Sequence, residues 1–300
     1  MRFLFSTIKK ALFFFICFVA FQIHAQNDLR ESSAPFISGD TFRSFADYVY
    51  DETNTMFNPR RVKYGDIIFV KTDMIKNFFK NKHPHIKYPY VLITHNSDLA
   101  VPGQFAEMLN DSKILSWYGQ NIEGYEHSKL IHIPIGLANR YWGHGSIEKM
   151  SEIRSQIEKI SRNKLVYLNI SVGTYPKERT QVYEMFKDKA FCFDSELKPY
   201  EEYLKDLASC KFVLSPRGNG IDCHRTWEAL YLGSIPIVKT SDLDPLYEGL
   251  PVVIVKDWSI ITEEFLEKTY SEMLLIYFNF EKLVTEYWQS ELTKYKRLHE

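Results

Sequence analysis

The sequence predicts an α/β protein, because short apolar strands alternate with helices along two successive parts of the 300-residue chain. In the second part the predicted strands are 165–169, 191–193, 211–214, 235–238 and 251–255, and the predicted helices are 177–187, 201–209 and 222–232, with a short helix near residue 242. Such a series favours a doubly wound parallel sheet. In the first part the predicted strands are 66–70, 90–94, 114–117 and 130–135, each followed by a polar or glycine-containing loop. The predicted fold class is therefore α/β with two parallel-sheet domains.

The domain boundaries follow from the segments between and beyond these strands. A charged segment at 146–162 is predicted to be a linking helix, which assigns residues 26–162 to the first domain and 163–300 to the second. Residues 281–299 are predicted to form one helix with a single apolar stripe. The stripe consists of Leu283, Tyr287, Trp288, Leu292 and Tyr295. A helix of this kind must pack on something, and we expect it to cross back to the first domain.

Residues 1–25 have the pattern of a secretory signal peptide. Arg2, Lys9 and Lys10 precede an apolar run from Ala11 to Ile23, which is followed by a small-residue cleavage site at Ala25. The run is shorter than the ~20 residues that span a bilayer. We therefore expect cleavage before residue 26 and a location in the secretory lumen. A retained short anchor is the alternative, and only then is membrane association expected.

Composition sets further limits. The formal net charge is −1 with 25% charged residues, so bulk electrostatics give no indication of a nucleic-acid partner. After the leader the chain has three cysteines, Cys192, Cys210 and Cys223. An odd number excludes a fully paired disulfide framework, and three free thiols are the favoured expectation.

The run from Ser215 to Val238, SPRGNGIDCHRTWEALYLGSIPIV, combines a strand end, a loop, a helix and a new strand. Pro216, Gly218 and Gly220 end the strand, Asp222 is a candidate N-cap, and Gly233 stands where a left-handed C′ residue is expected. A helix N-terminus in this position carries free N–H groups and roughly +0.5 charge. The run therefore predicts a site for a diphosphate.

Charged side chains of the same run extend this prediction. Arg217 and Arg225 suit bidentate phosphate contacts. Glu228 lies roughly 9 Å along the helix from Asp222, which places a carboxylate within reach of a ribose diol. The alternative for His224 and Glu228, spaced i, i+4, is an ordinary pair on a solvated helix. Gly173, Lys177 and Arg179 follow strand 165–169 and are expected to join the same site, although Lys177 and Arg179 could instead belong to a solvated first helical turn. The predicted nucleotide-binding set is Gly173, Lys177, Arg179, Arg217, Gly218, Asn219, Gly220, Asp222, His224, Arg225 and Glu228.

The motif S-P-R-G-N-G-x-D-x-H-R-x-W-E-A-L resembles the C-terminal donor-binding domain of exostosin-like glycosyltransferases, including the ribitol xylosyltransferase type. A weaker resemblance covers 164–262 and 130–142. The resemblance implies two Rossmann-like domains of the glycosyltransferase B type, an inverting transfer and a UDP-sugar donor. It implies an acceptor-side first domain that receives a glycan or polyol hydroxyl. A donor outside the cytoplasm fits the lumen of the Golgi or endoplasmic reticulum far better than a bacterial periplasm. If the chain is bacterial, it is expected to be exported, and the supply of donor then argues against the enzyme or requires an unusual compartment.

Inverting transfer needs a base for the acceptor hydroxyl and positive charge for the leaving diphosphate. Arg217, Arg225 and the helix terminus supply the charge. For the base, the loops of the first domain offer His95, Asp98 and His144, and we favour His95 oriented by Asp98, although a structural histidine is equally consistent with the sequence.

No cofactor and no metal are expected, because no Cys/His cluster has zinc spacing. Asp242 and Asp244 form a D-x-D pattern, which we interpret as helix capping. A metal-dependent glycosyltransferase that uses this pair, a phosphate-ester hydrolase and a catalytically silent nucleotide-sugar-binding protein remain alternatives.

Overall fold

The structure is a computed structural model that describes residues 30–297. The predicted signal peptide at 1–25 lies outside the described residues. Within the described part, two parallel sheets of five strands each are present. No helix between residues 30 and 297 combines the length and apolarity needed to cross a membrane.

The first sheet contains β1 (Tyr48–Tyr50), β2 (Ile67–Lys71), β3 (Tyr90–His95), β4 (Ile114–Gly119) and β5 (Leu130–His132). They lie side by side in chain order and are all parallel. The helices of this part are α1 (Gly39–Ser44) and α2 (Ile75–Asn81), with several one-turn helices between strands. Strand β1 and both helices were absent from the sequence prediction because they are short and have mixed polarity.

The two faces of the first sheet are covered differently. Right-handed crossovers between strands in chain order put every connection on one face. That face is buried against apolar side chains of the connections, among them Phe57, Ile75, Phe78 and Leu109. The opposite face, which includes Phe69 and Ile93, packs with Phe42, Trp288 and Leu292. The first domain is therefore singly wound, and a C-terminal segment completes its second layer.

The second sheet contains β6 (Lys164–Leu168), β7 (Cys192–Asp194), β8 (Cys210–Leu214), β9 (Ile235–Lys239) and β10 (Val253–Val255). Its order, β10-β9-β8-β6-β7, is parallel throughout. The chain runs from β6 outward to β7 and then returns to the other side of β6, so the winding direction reverses between β6 and β8. In open α/β sheets, ligands bind beyond the carboxyl ends of the strands at such a switch point.

Helices connect these strands as the alternating pattern predicts. They are α3 (Ile147–Ser155), α4 (Pro176–Phe186), α5 (Tyr200–Ala208), α6 (His224–Tyr231), α7 (Asp244–Tyr247) and α8 (Glu263–Met273). Proline begins α4, where its missing N–H costs no hydrogen bond. After α6, Gly233 has φ +70°, so the predicted left-handed C′ glycine is confirmed. Helix α3 occupies only part of the predicted linking segment and is capped by the Ser146 hydroxyl, which accepts from the N–H of Lys149.

The C-terminal helix α9 (Thr285–Arg297) crosses back to the first sheet, as the apolar stripe predicts. Trp288 packs against Phe42, with ring centroids 5.6 Å apart, and the Tyr118 hydroxyl donates to the Glu291 carbonyl at 3.1 Å. The predicted single helix begins instead with a separate turn at Glu281–Leu283, because Val284 is extended.

One buried cluster joins the two domains. The Tyr231 hydroxyl accepts from the N–H of Ile37 and donates to the carbonyl of Leu283, both at 2.8 Å. Phe36 meets the Tyr231 ring edge-on at 5.0 Å. The predicted fold class, two α/β domains with a returning C-terminal helix, is confirmed.

Candidate active site

A cavity of about 690 Å³ lies at the switch point of the second sheet and opens toward the first domain. Its walls come from the segment after β6, the loop after β8, helix α6 and two loops of the first domain. Among the residues that line it are Asp98, Asn169, Gly218, Asn219, Gly220, His224, Arg225 and Glu228. The structure thus brings together much of the predicted nucleotide-binding set.

Arg225 has a guanidinium that is only partly used by the protein. Its Nη2 donates to the Asn169 carbonyl at 2.5 Å, which fixes the plane of the group against the end of β6. Its Nε is buried and has no hydrogen-bond partner among residues 30–297. A buried N–H without a partner costs free energy, so this group is suited to an anionic oxygen. Arg225 stands in the first turn of α6, where the helix dipole favours the same kind of ligand.

Glu228 lies one turn further along α6 and is only 4% exposed. The Tyr203 hydroxyl donates to one of its oxygens at 2.7 Å and the Tyr200 hydroxyl to the other at 3.3 Å. Burial raises the pKa of Glu228, while the Tyr203 hydrogen bond and the charge of Arg225 act against that rise. The two phenols hold the carboxylate in one orientation on the cavity wall. The alternative of a solvated intrahelical pair with His224 is wrong, because both side chains have other partners.

The loop after β8 is held from both sides. Arg179 is 5% exposed and donates to the carbonyls of Arg217, Ser171 and Pro216 at 2.8, 3.1 and 3.3 Å. Arg179 lines the cavity, so its predicted place in the donor crevice agrees with the structure, and its burial excludes the alternative of a solvated helical turn. Its hydrogen bonds also support the loop. A Cβ on Gly220 would lie 2.5 Å from the Asn121 side chain, so glycine permits the close approach of the first domain.

The prediction that Asp222 is the N-cap of α6 is wrong. The N-cap residue is Cys223, and Asp222 turns inward as a buried clamp between the domains. Its carboxylate accepts from the N–H of Ile135 at 2.8 Å and from the Trp227 indole at 2.9 Å. Burial raises the pKa of Asp222 to about 6, against the effect of these hydrogen bonds. Asp222 therefore aligns the first domain with α6.

Three predicted site residues are not brought into this cavity. Arg217 and Lys177 line a second cavity of about 500 Å³ beside β9, and Gly173 is exposed and lines neither cavity. The Arg217 guanidinium lies 4.8 Å from the centroid of the Tyr175 ring and pairs with Glu123 at 3.4 Å. These contacts turn Arg217 away from the switch point, so the prediction that it joins Arg225 at one phosphate is wrong for this arrangement.

The predicted arrangement of His95 and Asp98 is also wrong. β3 extends one residue further than predicted, so His95 lies in the strand and is 1% exposed. The N–H of Asn96 donates to its Nδ1 at 2.7 Å, and Nε2 lies 3.0 Å from the Pro134 carbonyl, to which it donates. Burial lowers the pKa of His95 to about 4. Both nitrogens serve the protein, and Asp98 contacts Asn219 instead, at 3.3 Å.

His224 is the histidine whose geometry suits a base. Its Nδ1 lies 2.8 Å from the Gly136 carbonyl, which can only accept, so Nδ1 carries the proton and Nε2 keeps a lone pair. Burial lowers the pKa of His224 to about 4, and the charge of Asp98 acts in the opposite direction. His224 and Asp98 line both the switch-point cavity and a third cavity of about 230 Å³ in the first domain. His144 is exposed and lines the first cavity only.

The D-x-D residues hold backbone groups. Asp242 accepts from the N–H of Gly124 at 2.6 Å, and Asp244 accepts from the N–H of Ser241 at 3.0 Å. Neither is the N-cap of α7, which is Leu243, so the capping interpretation is corrected to these loop contacts. Between residues 30 and 297 no group of three or more His, Cys, Asp or Glu side chains is placed to hold a metal ion. Cys192, Cys210 and Cys223 are free, as expected.

Sequence reasoning missed Tyr203, Tyr200 and Asn121 as parts of the site. The two tyrosines belong to α5, which precedes β8, and nothing in their spacing indicates that they meet Glu228 on α6. Asn121 has φ +56° and accepts from the N–H of Asp222 at 3.1 Å. The one sequence signal for Asn121 is that it is a polar residue in the loop that follows β4.

Comparison with known proteins gives distant matches. No family model matches the chain, and no curated protein matches its sequence. Among solved structures, UDP-GlcNAc 2-epimerase from Methanocaldococcus jannaschii is similar at 13% identity and a TM-score of 0.35, over 71% of this chain and 71% of that chain. The GtfA/B complex is similar at 9% identity and a TM-score of 0.33, over 78% of this chain and 55% of that chain. Similarity at this level carries no argument about function, which depends on the site itself.

Proposed function

We propose that this protein is an inverting glycosyltransferase of the exostosin-like type, which moves a sugar from a UDP-sugar to a hydroxyl of a glycan or polyol. The observation that carries the proposal is the position of Arg225, which lines the cavity from the first turn of α6 at the switch point of a parallel sheet and whose Nε has no hydrogen-bond partner among residues 30–297. The motif resemblance supports the same class of donor.

In this proposal the donor occupies the cavity in one orientation. The diphosphate lies against Arg225, the N-terminal turn of α6 and the glycine loop at 218–220, where positive charge and N–H groups converge. The ribose diol reaches Glu228, whose carboxylate is already oriented by Tyr203. We place the nucleobase beside Leu197 and Tyr200, which line the same cavity.

The proton acceptor in this proposal is Nε2 of His224 and not His95, which is the residue that the sequence pattern favours. The acceptor oxygen loses its proton to Nε2 and attacks the anomeric carbon from the face opposite the diphosphate. The bond from that carbon to the diphosphate oxygen breaks, and UDP leaves with the bonding electrons. Arg225 and the α6 terminus stabilise the charge that develops on UDP, and Asp98 stabilises the imidazolium.

We also propose that the mature chain begins near residue 26 and works in the secretory lumen. This rests on the charge pattern and apolar run of residues 1–25. N-terminal sequencing of protein isolated from its native source tests it: a membrane-bound chain that still carries residues 1–25 would contradict cleavage.

The donor assignment is tested by comparing UDP with 2′-deoxy-UDP in calorimetric titrations. A carboxylate that accepts from the ribose diol should give UDP an advantage of about tenfold to a hundredfold, because a hydrogen bond to a charged group contributes about 1.5 to 3 kcal/mol. Glu228→Gln should reduce this advantage while the protein still binds 2′-deoxy-UDP. Equal affinity of the wild-type protein for both nucleotides would contradict the placement of the ribose.

A further inference from the structure

A loop of the first domain carries exposed aromatic side chains beside the proposed site. Tyr141 is 43% and Trp142 53% exposed. The Trp142 ring stacks with His144 at 6.2 Å and 24°, and its centroid lies 5.2 Å from that of Tyr141. His144 in turn lies 6.3 Å from His224, ring centroid to ring centroid. The four rings form a row that we call the aromatic row, and the row ends at the histidine proposed as the base.

The loop is held in place by contacts on both sides of the row. The N–H of Trp142 donates to the Asn139 carbonyl at 2.9 Å, and the N–H of Gly145 donates to the Trp142 carbonyl at 2.8 Å. A Cβ on Gly145 would lie 2.1 Å from the Asn139 carbonyl oxygen, so only glycine fits there. Arg140 pairs with Glu31 and Glu148 at 2.6 and 2.7 Å. The rings are therefore presented to solvent by a fixed backbone, which lowers the entropy cost of binding a ligand.

The cavity beside the row is small, polar and close to electrically balanced. Its volume is about 230 Å³, and Tyr141 and Trp142 line it together with Lys71, Ser97 and Asp98. Lys71 and Asp98 bring opposite charges to the lining, and Lys71 also pairs with Glu52 at 3.4 Å. His95 is neutral near pH 7 because burial lowers its pKa to about 4. Hydroxyl-bearing ligands suit such a site better than strongly charged ones.

Amphipathic ligands with one apolar face match this combination. An indole offers a large rigid apolar surface at low conformational cost. A pyranose ring has an apolar C–H face and polar hydroxyl edges, whereas an acyclic polyol has no persistent flat face. The third cavity shares Asp98 and His224 with the switch-point cavity, so a sugar on the row would direct a hydroxyl toward the donor.

We propose that the aromatic row is the acceptor platform, and that it binds a neutral cyclic saccharide with the apolar face of the sugar on Trp142. The proposal rests on the proposed glycosyltransferase function and names its acceptor class. Trp142 then determines acceptor affinity and leaves the affinity for UDP unchanged.

The test is saturation-transfer NMR with methyl β-glucoside, methyl β-galactoside, methyl α-mannoside and the acyclic alditol sorbitol, each in the presence of UDP. The wild-type protein should transfer saturation to a glycoside and much less to sorbitol. Trp142→Ala should weaken glycoside binding by about tenfold or more. Trp142→Phe should retain most of it. Tyr88→Ala is the matched control, since Tyr88 is 45% exposed and precedes the amino end of β3, whereas the loop of the aromatic row follows the carboxyl end of β5.

The outcomes separate the two proposals. No transfer to any glycoside from the wild-type protein, equal transfer to sorbitol, or unchanged binding in Trp142→Ala would each overturn the platform. A parallel UDP titration checks the donor site in every variant. Glycoside binding that depends on Trp142 in a protein without affinity for UDP would keep the platform and refute the glycosyltransferase function.

Discussion

The structure and the sequence pattern assign the phosphate site differently, and replacing Arg217 and Arg225 one at a time tells the two assignments apart. Arg217 and Arg225 stand eight positions apart in one motif, and the pattern alone assigns both to phosphate. In the structure only Arg225 faces the switch-point cavity, while Arg217 faces the second cavity. Arg225→Met should therefore weaken UDP binding, and Arg217→Met should not.

The magnitude follows from what each guanidinium contacts. Arg225 lines the switch-point cavity with its side chain, and a charge-assisted hydrogen bond from its guanidinium to phosphate contributes about 1.5 to 3 kcal/mol. Arg225→Met should thus raise the Kd for UDP by about tenfold to a hundredfold. Arg217 pairs with Glu123 at 3.4 Å near the surface, where ion pairs contribute little, so Arg217→Met should change the Kd by less than about twofold.

Isothermal titration of UDP into the two variants measures this difference, with thermal unfolding as the check on folding. Arg225→Lys adds a sharper comparison, because lysine keeps the charge and lacks the forked donors that Arg225 presents. It should bind UDP more weakly than the wild-type protein. An equal loss in Arg217→Met and Arg225→Met, or no loss in Arg225→Met, would refute the assignment of the phosphate site.

Three further predictions concern the base, pH and metals. His224→Gln should lower kcat by about two to four orders of magnitude with UDP affinity nearly kept, and full activity in His224→Gln together with its loss in Asp98→Asn would move the role to the carboxylate. Burial lowers the pKa of His95 to about 4, so as the pH falls the imidazole is protonated in the unfolded state before it is protonated in the folded state. The free energy of unfolding should therefore fall by up to about 3 kcal/mol between about pH 6.5 and pH 4. Urea titrations at both pH values should show a smaller fall in His95→Gln, and equal falls would contradict a buried neutral imidazole. Turnover should survive EDTA because Arg225 and the α6 terminus balance the diphosphate, whereas loss restored by manganese would favour Asp242 and Asp244.

The fold was largely predictable from the sequence because strand and helix periods are local properties. The apolar strand 211–214, the helix that follows it and Gly233 at its end agree with the structure to within two residues. The single winding of the first sheet was not predictable, since it depends on which distant segment covers the second face. Helix α9 fills that position through Trp288 and Leu292.

The sequence predicted where in the fold the site lies, but not which way its individual side chains point. Sequence spacing identified the loop after β8 and the side chains of α6, because a strand end and a helix N-terminus must meet there. It did not indicate that Arg217 turns onto Tyr175, since the direction of a loop side chain depends on its neighbours in space. His95 was misplaced because one extra residue of β3 moved it from a loop into the core.

The most direct test of the account is the release of UDP from UDP-sugars by the purified protein. We predict that at least one UDP-sugar is hydrolysed or transferred faster than in a protein-free control, and that Arg225→Met removes this activity. Binding of UDP without any turnover would favour the catalytically silent binding protein. If the protein neither releases UDP from any UDP-sugar nor binds UDP, the proposed function is wrong.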